Sequence, residues 1–185
     1  MKAYHLFIIA SLLFLSCKQK SEISKDFNCE TKSFQNLETV TDVQNIFSVD
    51  IPKSWKTNLY FDDKQSSIYT ADTTKQLTKT LLLDITAIKQ NIKFDDTFKL
   101  QQEQDNLSKS LIKIKSEETT LLNKPSYYTI SKGKKGKFTY QICHIFIKIN
   151  EQNFILAKAE MYGDSLVNTR LCNAFGYIEK IKLLN

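Results

Sequence analysis

Arginine, histidine, glycine and proline are all scarce in this chain of 185 residues. Arg170 is the only arginine among 26 basic residues, so the net charge of +6 is carried almost wholly by lysine. The guanidinium forks that read base edges and grip phosphates bidentately are missing, which argues against nucleic acid as a partner. Of two histidines, His5 falls in an N-terminal stretch that reads as a cleaved leader, and His144 alone excludes multi-histidine metal sites and most zinc hydrolase schemes. With four glycines and two prolines, the chain has no G-x-S-x-G, P-loop, G-x-G-x-x-G or C-x-x-C pattern. It has no D-x-D-x-D-G calcium loop either. No cofactor or metal is expected. No uncharged run reaches the roughly 20 apolar residues that span a bilayer.

What the chain does have is a distinctive start. Lys2 precedes an uncharged stretch from Ala3 to Ser16, apart from His5, which ends in Leu12-Leu13-Phe14-Leu15-Ser16-Cys17 and is followed by Lys18-Gln19-Lys20. This is the pattern of a secretory leader closing on a small residue and a cysteine. It resembles the lipobox of bacterial lipoproteins, with Phe14 where that pattern prefers a smaller residue. The resemblance implies residues 1–16 as a cleaved signal peptide and Cys17 as an acylated (palmitate-bearing) first mature residue. It implies a permanent anchor in the cell envelope, at the outer membrane. Residues 17–26 are polar and without apolar periodicity, so they are expected to form a flexible tether reaching about 15–20 Å. Residues 27–185 are expected to form one domain, long enough for a real core.

Cysteines after Cys17 number three: Cys29, Cys143 and Cys172. An exported compartment permits disulfides. Cys143 falls in a strongly apolar strand, so Cys29 and Cys172 are the candidate pair, the alternative being two buried thiols.

Along the chain, Phe47 to Ile51 alternates with period two and reads as the first strand. Strands follow at 59–61, 66–71 and 81–88. The period changes over 95–107, where Asp95 or Asp96 can cap a helix whose apolar stripe is Phe94, Phe98 and Leu107. Further strands are expected at 111–116 and 127–131. Gly133-Lys134-Lys135-Gly136 reads as a hairpin tip with glycines at positive φ. The strongest strand, 138–149, is apolar on both faces and so central. Another strand runs over 154–162. A final helix, capped by Gly163-Asp164-Ser165, carries Leu171, Phe175, Ile178 and Ile181, with Leu166 and Leu184 extending the stripe. The order predicts an α+β fold, a mostly antiparallel β-sheet sandwiched by helices.

Phe47, Val49, Ile51, Pro52 and Trp55 form F-x-V-x-I-P-x-x-W, which resembles the opening of PsbP-like domains. Those domains share their fold with a Ran-binding nuclear-import factor. The resemblance runs from about Phe47 to Leu184. It implies that sandwich fold, a tryptophan packed under the next hairpin, and membership among binding or assembly factors.

Candidate chemistry is thin. His144 and Cys143 are adjacent, but neighbours on a strand point to opposite faces. Asp62-Asp63 and Asp95-Asp96 read as a turn pair and a helix cap rather than a cation site. Lys132, Lys134, Lys135 and Lys137 crowd the hairpin tip, where they either contact an anionic surface such as lipid head groups or simply solvate it and discourage edge pairing. The sequence is read as a lipid-anchored, non-enzymatic binding or assembly module with an envelope protein as partner. The alternatives are a hydrolase using His144 with a distant carboxylate, and a small-ligand carrier with a pocket near Trp55, Tyr60 and Tyr69.

Overall fold

Period-two alternation dominates the chain from residue 47 onward and is realised as a broad antiparallel sheet. The computed structural model describes residues 20–30 and 33–184. Cys17 and the leader lie outside the described residues. In chain order the elements are α1 (Glu22–Asp26), β1 (Leu37–Thr41), β2 (Phe47–Pro52), β3 (Lys56–Phe61), β4 (Gln65–Ala71), β5 (Leu82–Ile88), α2 (Asp96–Ser108), β6 (Ile112–Leu121), β7 (Lys124–Lys135), β8 (Phe138–Lys148), β9 (Phe154–Tyr162), α3 (Val167–Ile178) and β10 (Lys182–Leu183). Seven strands form one sheet in the order β3-β4-β5-β9-β8-β7-β6, all antiparallel. A second antiparallel sheet has the order β1-β2-β10.

One face of the large sheet carries the main apolar core. Ile68, Leu83, Ile85, Ile130, Ile145 and Ile155 pack there against Phe47, Val49 and Ile51 of β2 and against Leu171, Phe175 and Ile178 of α3. The opposite face carries two smaller apolar clusters, one where Tyr127, Phe146 and Phe154 meet Phe94 and Phe98 at the start of α2, the other of Leu111, Tyr140, Ile142 and Tyr162 toward the start of β8. The fold is α+β, a mostly antiparallel sheet between helices. β8 sits inside the sheet with both faces covered, as its double alternation requires. Full burial of an Ile or Phe is worth about 1.5–3 kcal/mol, against about 0–1 kcal/mol for a surface ion pair. Stability therefore resides on the α3 face, and the α2 face is free to carry polar side chains.

The structure departs from the sequence reading at several places, each with a local cause. Residues 22–26, expected in the tether, form α1: Ser21 Oγ accepts from Ser24 N at 3.1 Å, and Ile23 is fully buried. One apolar residue in a polar stretch shows no period, yet it suffices to dock a single turn. β2 lies in the small sheet beside β1, which polar Glu38, Thr39 and Thr41 concealed. Leu107 is exposed, and Asn106 is the buried residue near the end of α2. α3 ends at Ile178, and Lys182–Leu183 returns as a strand against β2. No side chain caps α3; Leu166 takes the cap position in a left-handed conformation.

The hairpin tip also moves. Only Gly136 has positive φ there, with Lys135 paired to Phe138, so Gly136 and Lys137 make a two-residue turn led by glycine. Gly133 lies inside β7, where a Cβ would come within 2.7 Å of Ser110 O. Its glycine serves close approach of backbone rather than a turn.

The lone arginine has a structural post. Arg170 is buried and donates Nη1 to the carbonyls of Thr80 (2.9 Å) and Tyr162 (3.0 Å) and Nη2 to that of Gly163 (3.0 Å). It ties the β4–β5 connection and the end of β9 to α3. Burial lowers its pKa from the ordinary value, an effect opposed by Asp164.

Candidate binding surface

Directly paired residues on adjacent strands put their side chains on the same face. Following the register from edge to edge gives one continuous row. Asn58, Tyr69, Asp84, Lys158, His144, Thr129 and Ser116 are successive cross-strand partners from β3 to β6. A polar line thus crosses all seven strands on the α2 face. At the β6–β7 end it passes beneath the C-terminal part of α2. At the β3–β5 end it is open, with Asn58 exposed and Tyr69 and Asp84 half-buried.

The row is internally organised. Lys158 Nζ lies 3.1 Å from Asp84 Oδ2, and Asp84 Oδ1 accepts from Thr86 Oγ1 at 3.0 Å. Thr86 Oγ1 shares a hydrogen with Ser67 Oγ at 2.9 Å. Beside the row, Glu160 Oε2 accepts from Tyr140 Oη at 2.8 Å and from Lys135 Nζ at 3.2 Å. The Lys135 ammonium also stands 4.8 Å from the Tyr140 ring and 5.3 Å from that of Tyr162, within cation–π reach. The Tyr162 hydroxyl and Glu160 hold the Lys135 pKa above the ordinary range. Burial, then the Glu160 charge, raises the phenols of Tyr69 and Tyr140.

His144 sits mid-row and is neutral at pH 7. Burial, reinforced by Lys158 and Lys109, lowers its pKa to about 4. Its Nδ1 is buried and has no hydrogen-bond partner among the described residues. The Phe146 ring, 6.3 Å away, flanks it. Cys143 faces the opposite side, fully buried, with its thiol pushed up by burial. No group of three His, Cys, Asp or Glu among the described residues is placed to hold a metal ion. The arrangement offers paired charges and hydroxyls for recognition. It sets no nucleophile against His144.

The other expected residues lie elsewhere. Cys29 and Cys172 are joined in a disulfide, S–S 2.01 Å, that ties the segment after α1 to α3. A cleft of about 440 Å³ opens beside it, lined by Ser21, Ser24, Phe34, Leu122, Gly176 and Glu179. Glu179 accepts from Ser24 Oγ at 2.5 Å and from Ser21 Oγ, fixing α1 to the end of α3. Strand alternation divides the hairpin lysines: Lys135 turns to the α2 face, Lys132 and Lys134 to the other, and Lys137 lies over Phe138 at 5.4 Å. Trp55 packs edge-on to Tyr177 of α3 at 5.3 Å, so it shares no pocket with Tyr69 on the α2 face, and Tyr60 is exposed. Asp95 caps α2 through Phe98 N at 3.0 Å, and Asp62 Oδ1 binds the N–H groups of Lys64 and Gln65 in a turn.

The sequence hides the row. Lys158 and Glu160 alternate with buried residues in β9, which marks their face, but their partners follow only from register. That is set by turns and packing across 100 residues of chain.

No family model and no curated protein matches the sequence. Solved structures do share the architecture. Cyanobacterial PsbP (CyanoP) from Synechocystis sp. PCC 6803 superposes with a TM-score of 0.56 at 9% identity, over 84% of this chain and 96% of that one. The fold is PsbP-like. A protein from Bacteroides thetaiotaomicron VPI-5482 gives 0.52 at 13% identity over 82% of this chain, which spans only 50% of that protein's length. The Ran-binding protein Mog1p of Saccharomyces cerevisiae gives 0.50 at 10% identity, over 81% and 96%. At such identities the likeness is one of fold. No helix among the described residues is long and apolar enough to cross a membrane.

Proposed function

We propose that this chain is a lipid-anchored, non-enzymatic binding or assembly module of the cell envelope, acylated at Cys17, held at the outer membrane and engaging an envelope protein. The observation that carries the binding role is the polar row. Its open end presents Asn58, Tyr69 and the Asp84–Lys158 pair, fixed groups of both signs that suit a polar protein surface. A neutral histidine with no hydrogen-bonded acid or nucleophile favours recognition over catalysis. The leader pattern supports export, and the Cys29–Cys172 bridge suits an oxidising compartment. Two residues, Lys18 and Gln19, separate Cys17 from Lys20, and the three steps between them span at most about 11 Å. Acylation at Cys17 therefore holds the body against the membrane.

Palmitate labelling tests the anchor: the wild type takes up label and Cys17→Ala does not, leaving the membrane fraction. An unlabelled wild type overturns the anchor. A photo-crosslinker at position 58 in intact envelopes tests binding. One discrete adduct is expected, abolished by Lys158→Glu, and no adduct at any yield overturns the binding role.

A further inference from the structure

The large sheet has two edges, and they are built differently. β6 is guarded. Its ladder is broken between Lys113 and Lys115, Lys115 pairs with Asp26 of α1 at 2.8 Å, and Glu118 pairs with Lys99 of α2 at 2.7 Å. Bulges, charges and covering helices are the devices that keep an edge from pairing. β3 has no bulge, and its one charge, Lys56, stands at its first position. Its register with β4 is unbroken over six residues, no described helix packs on it extensively, and Leu59, Tyr60 and Phe61 in succession are 43%, 58% and 64% exposed.

We propose that β3 is a self-pairing edge: two copies of this chain join antiparallel, β3 to β3, about a two-fold axis through Leu59. The occupant follows from the sequence of the strand. A two-fold normal to the sheet keeps the faces aligned, so opposed residues must share parity. In the register centred on Leu59, Lys56 opposes Asp62 twice, Asn58 opposes Tyr60 on the same face, and on the other face Thr57 opposes Phe61 and Leu59 meets its own copy. Charge meets opposite charge, amide meets phenol and Leu59 meets Leu59, with only Thr57 against Phe61 a mixed pair. Sliding two residues either way takes Lys56 off Asp62, placing it against Tyr60 or Lys64. An edge of six residues buries well under the roughly 1,600 Å² of a standard interface, so the dimer is weak, with a Kd of about tens to hundreds of micromolar. Pairing joins the open ends of the two polar rows into one surface, with Asn58 of each copy beside Tyr60 of the other.

Sedimentation equilibrium of the purified protein tests this. A reversible monomer–dimer equilibrium is expected, weakened about tenfold or more by Lys56→Asp, which opposes two aspartates, and by Leu59→Lys, which opposes two ammonium groups. Mixing Lys56→Asp with Asp62→Lys restores the dimer, because each cross pair is then Asp against Lys. Asp62 also holds its turn, so the two exposed substitutions carry the test if that variant misfolds. A monomer at all concentrations to about 1 mM, or a dimer that Lys56→Asp and Leu59→Lys leave unchanged, overturns the proposal.

Discussion

Lys158 and Asp84 face each other directly across β9 and β5, their charged atoms 3.1 Å apart. Both side chains are partly exposed, so the pair belongs with surface ion pairs of about 0.2–1 kcal/mol. A double-mutant cycle of Lys158→Met and Asp84→Asn, followed by urea unfolding, is expected to give a coupling in that range. A coupling above about 2 kcal/mol would mean that the row is dry and part of the core.

His144 makes stability depend on pH. Its folded pKa, near 4, lies below its ordinary value of 6.5. Between those values the unfolded chain binds the extra proton, so stability is intact above pH 6.5 and falls as pH drops toward 4. The expected loss is about 2 kcal/mol by pH 4.5. Lys158 and Lys109 oppose protonation, while Glu160 and Asp105 favour it. The depressed carboxyls of Asp26, Asp50 and Asp72 add their own loss only below about pH 4. Urea midpoints from pH 7 to 4.5 check the slope, which His144→Gln flattens.

The Cys29–Cys172 bridge closes a long loop and is expected to contribute about 3–5 kcal/mol. Unfolding with and without reductant, or of a Cys29→Ala/Cys172→Ala variant, measures it. Cys143 supplies an internal control: fully buried, it stays silent to thiol reagents until the domain unfolds.

Two glycines of the β7–β8 hairpin answer differently to alanine. At Gly133 the new methyl meets backbone, Ser110 O at 2.7 Å, and the 110–111 connection must shift. A loss of about 1–3 kcal/mol is expected. At Gly136 the space is open and only its positive φ opposes alanine, at about 1–2 kcal/mol. Thermal melts of the two variants rank them, and Gly133→Ala should also broaden amide signals around Leu111.

Arg170→Lys keeps the charge but not the fork. One ammonium cannot reach three carbonyls on two segments, and the variant should lose about 2–3 kcal/mol of stability. Denaturation midpoints check it. A neutral result would show the three carbonyls to be satisfied otherwise.

The sequence disclosed what a face needs and concealed what lies opposite it. Period-two runs revealed β4, β5, β8 and β9, and β8's two apolar faces placed it inside the sheet. The run from Phe47 to Pro52 was legible as a strand, but not its membership of a second sheet, because β1 is mostly polar. α1 escaped because Ile23 alone anchors it. The polar row escaped for a different reason. Each of its residues is an unremarkable polar position within its own strand, and only the pairing of β5 with β9, across α2 and three strands, lines them up. Cys143 and His144 could be separated from alternation alone.

Cys29 and Cys172 stand 143 positions apart, and every strand of the seven-stranded sheet lies between them. Tension arriving from the N-terminal side crosses at Cys29 straight to α3, so the intervening polypeptide stays outside the load path. Under stretching, an oxidised molecule releases only the contour length that lies outside that ring. Pulling from the N-terminal side can tilt such a body, yet it cannot peel the strands of the large sheet apart.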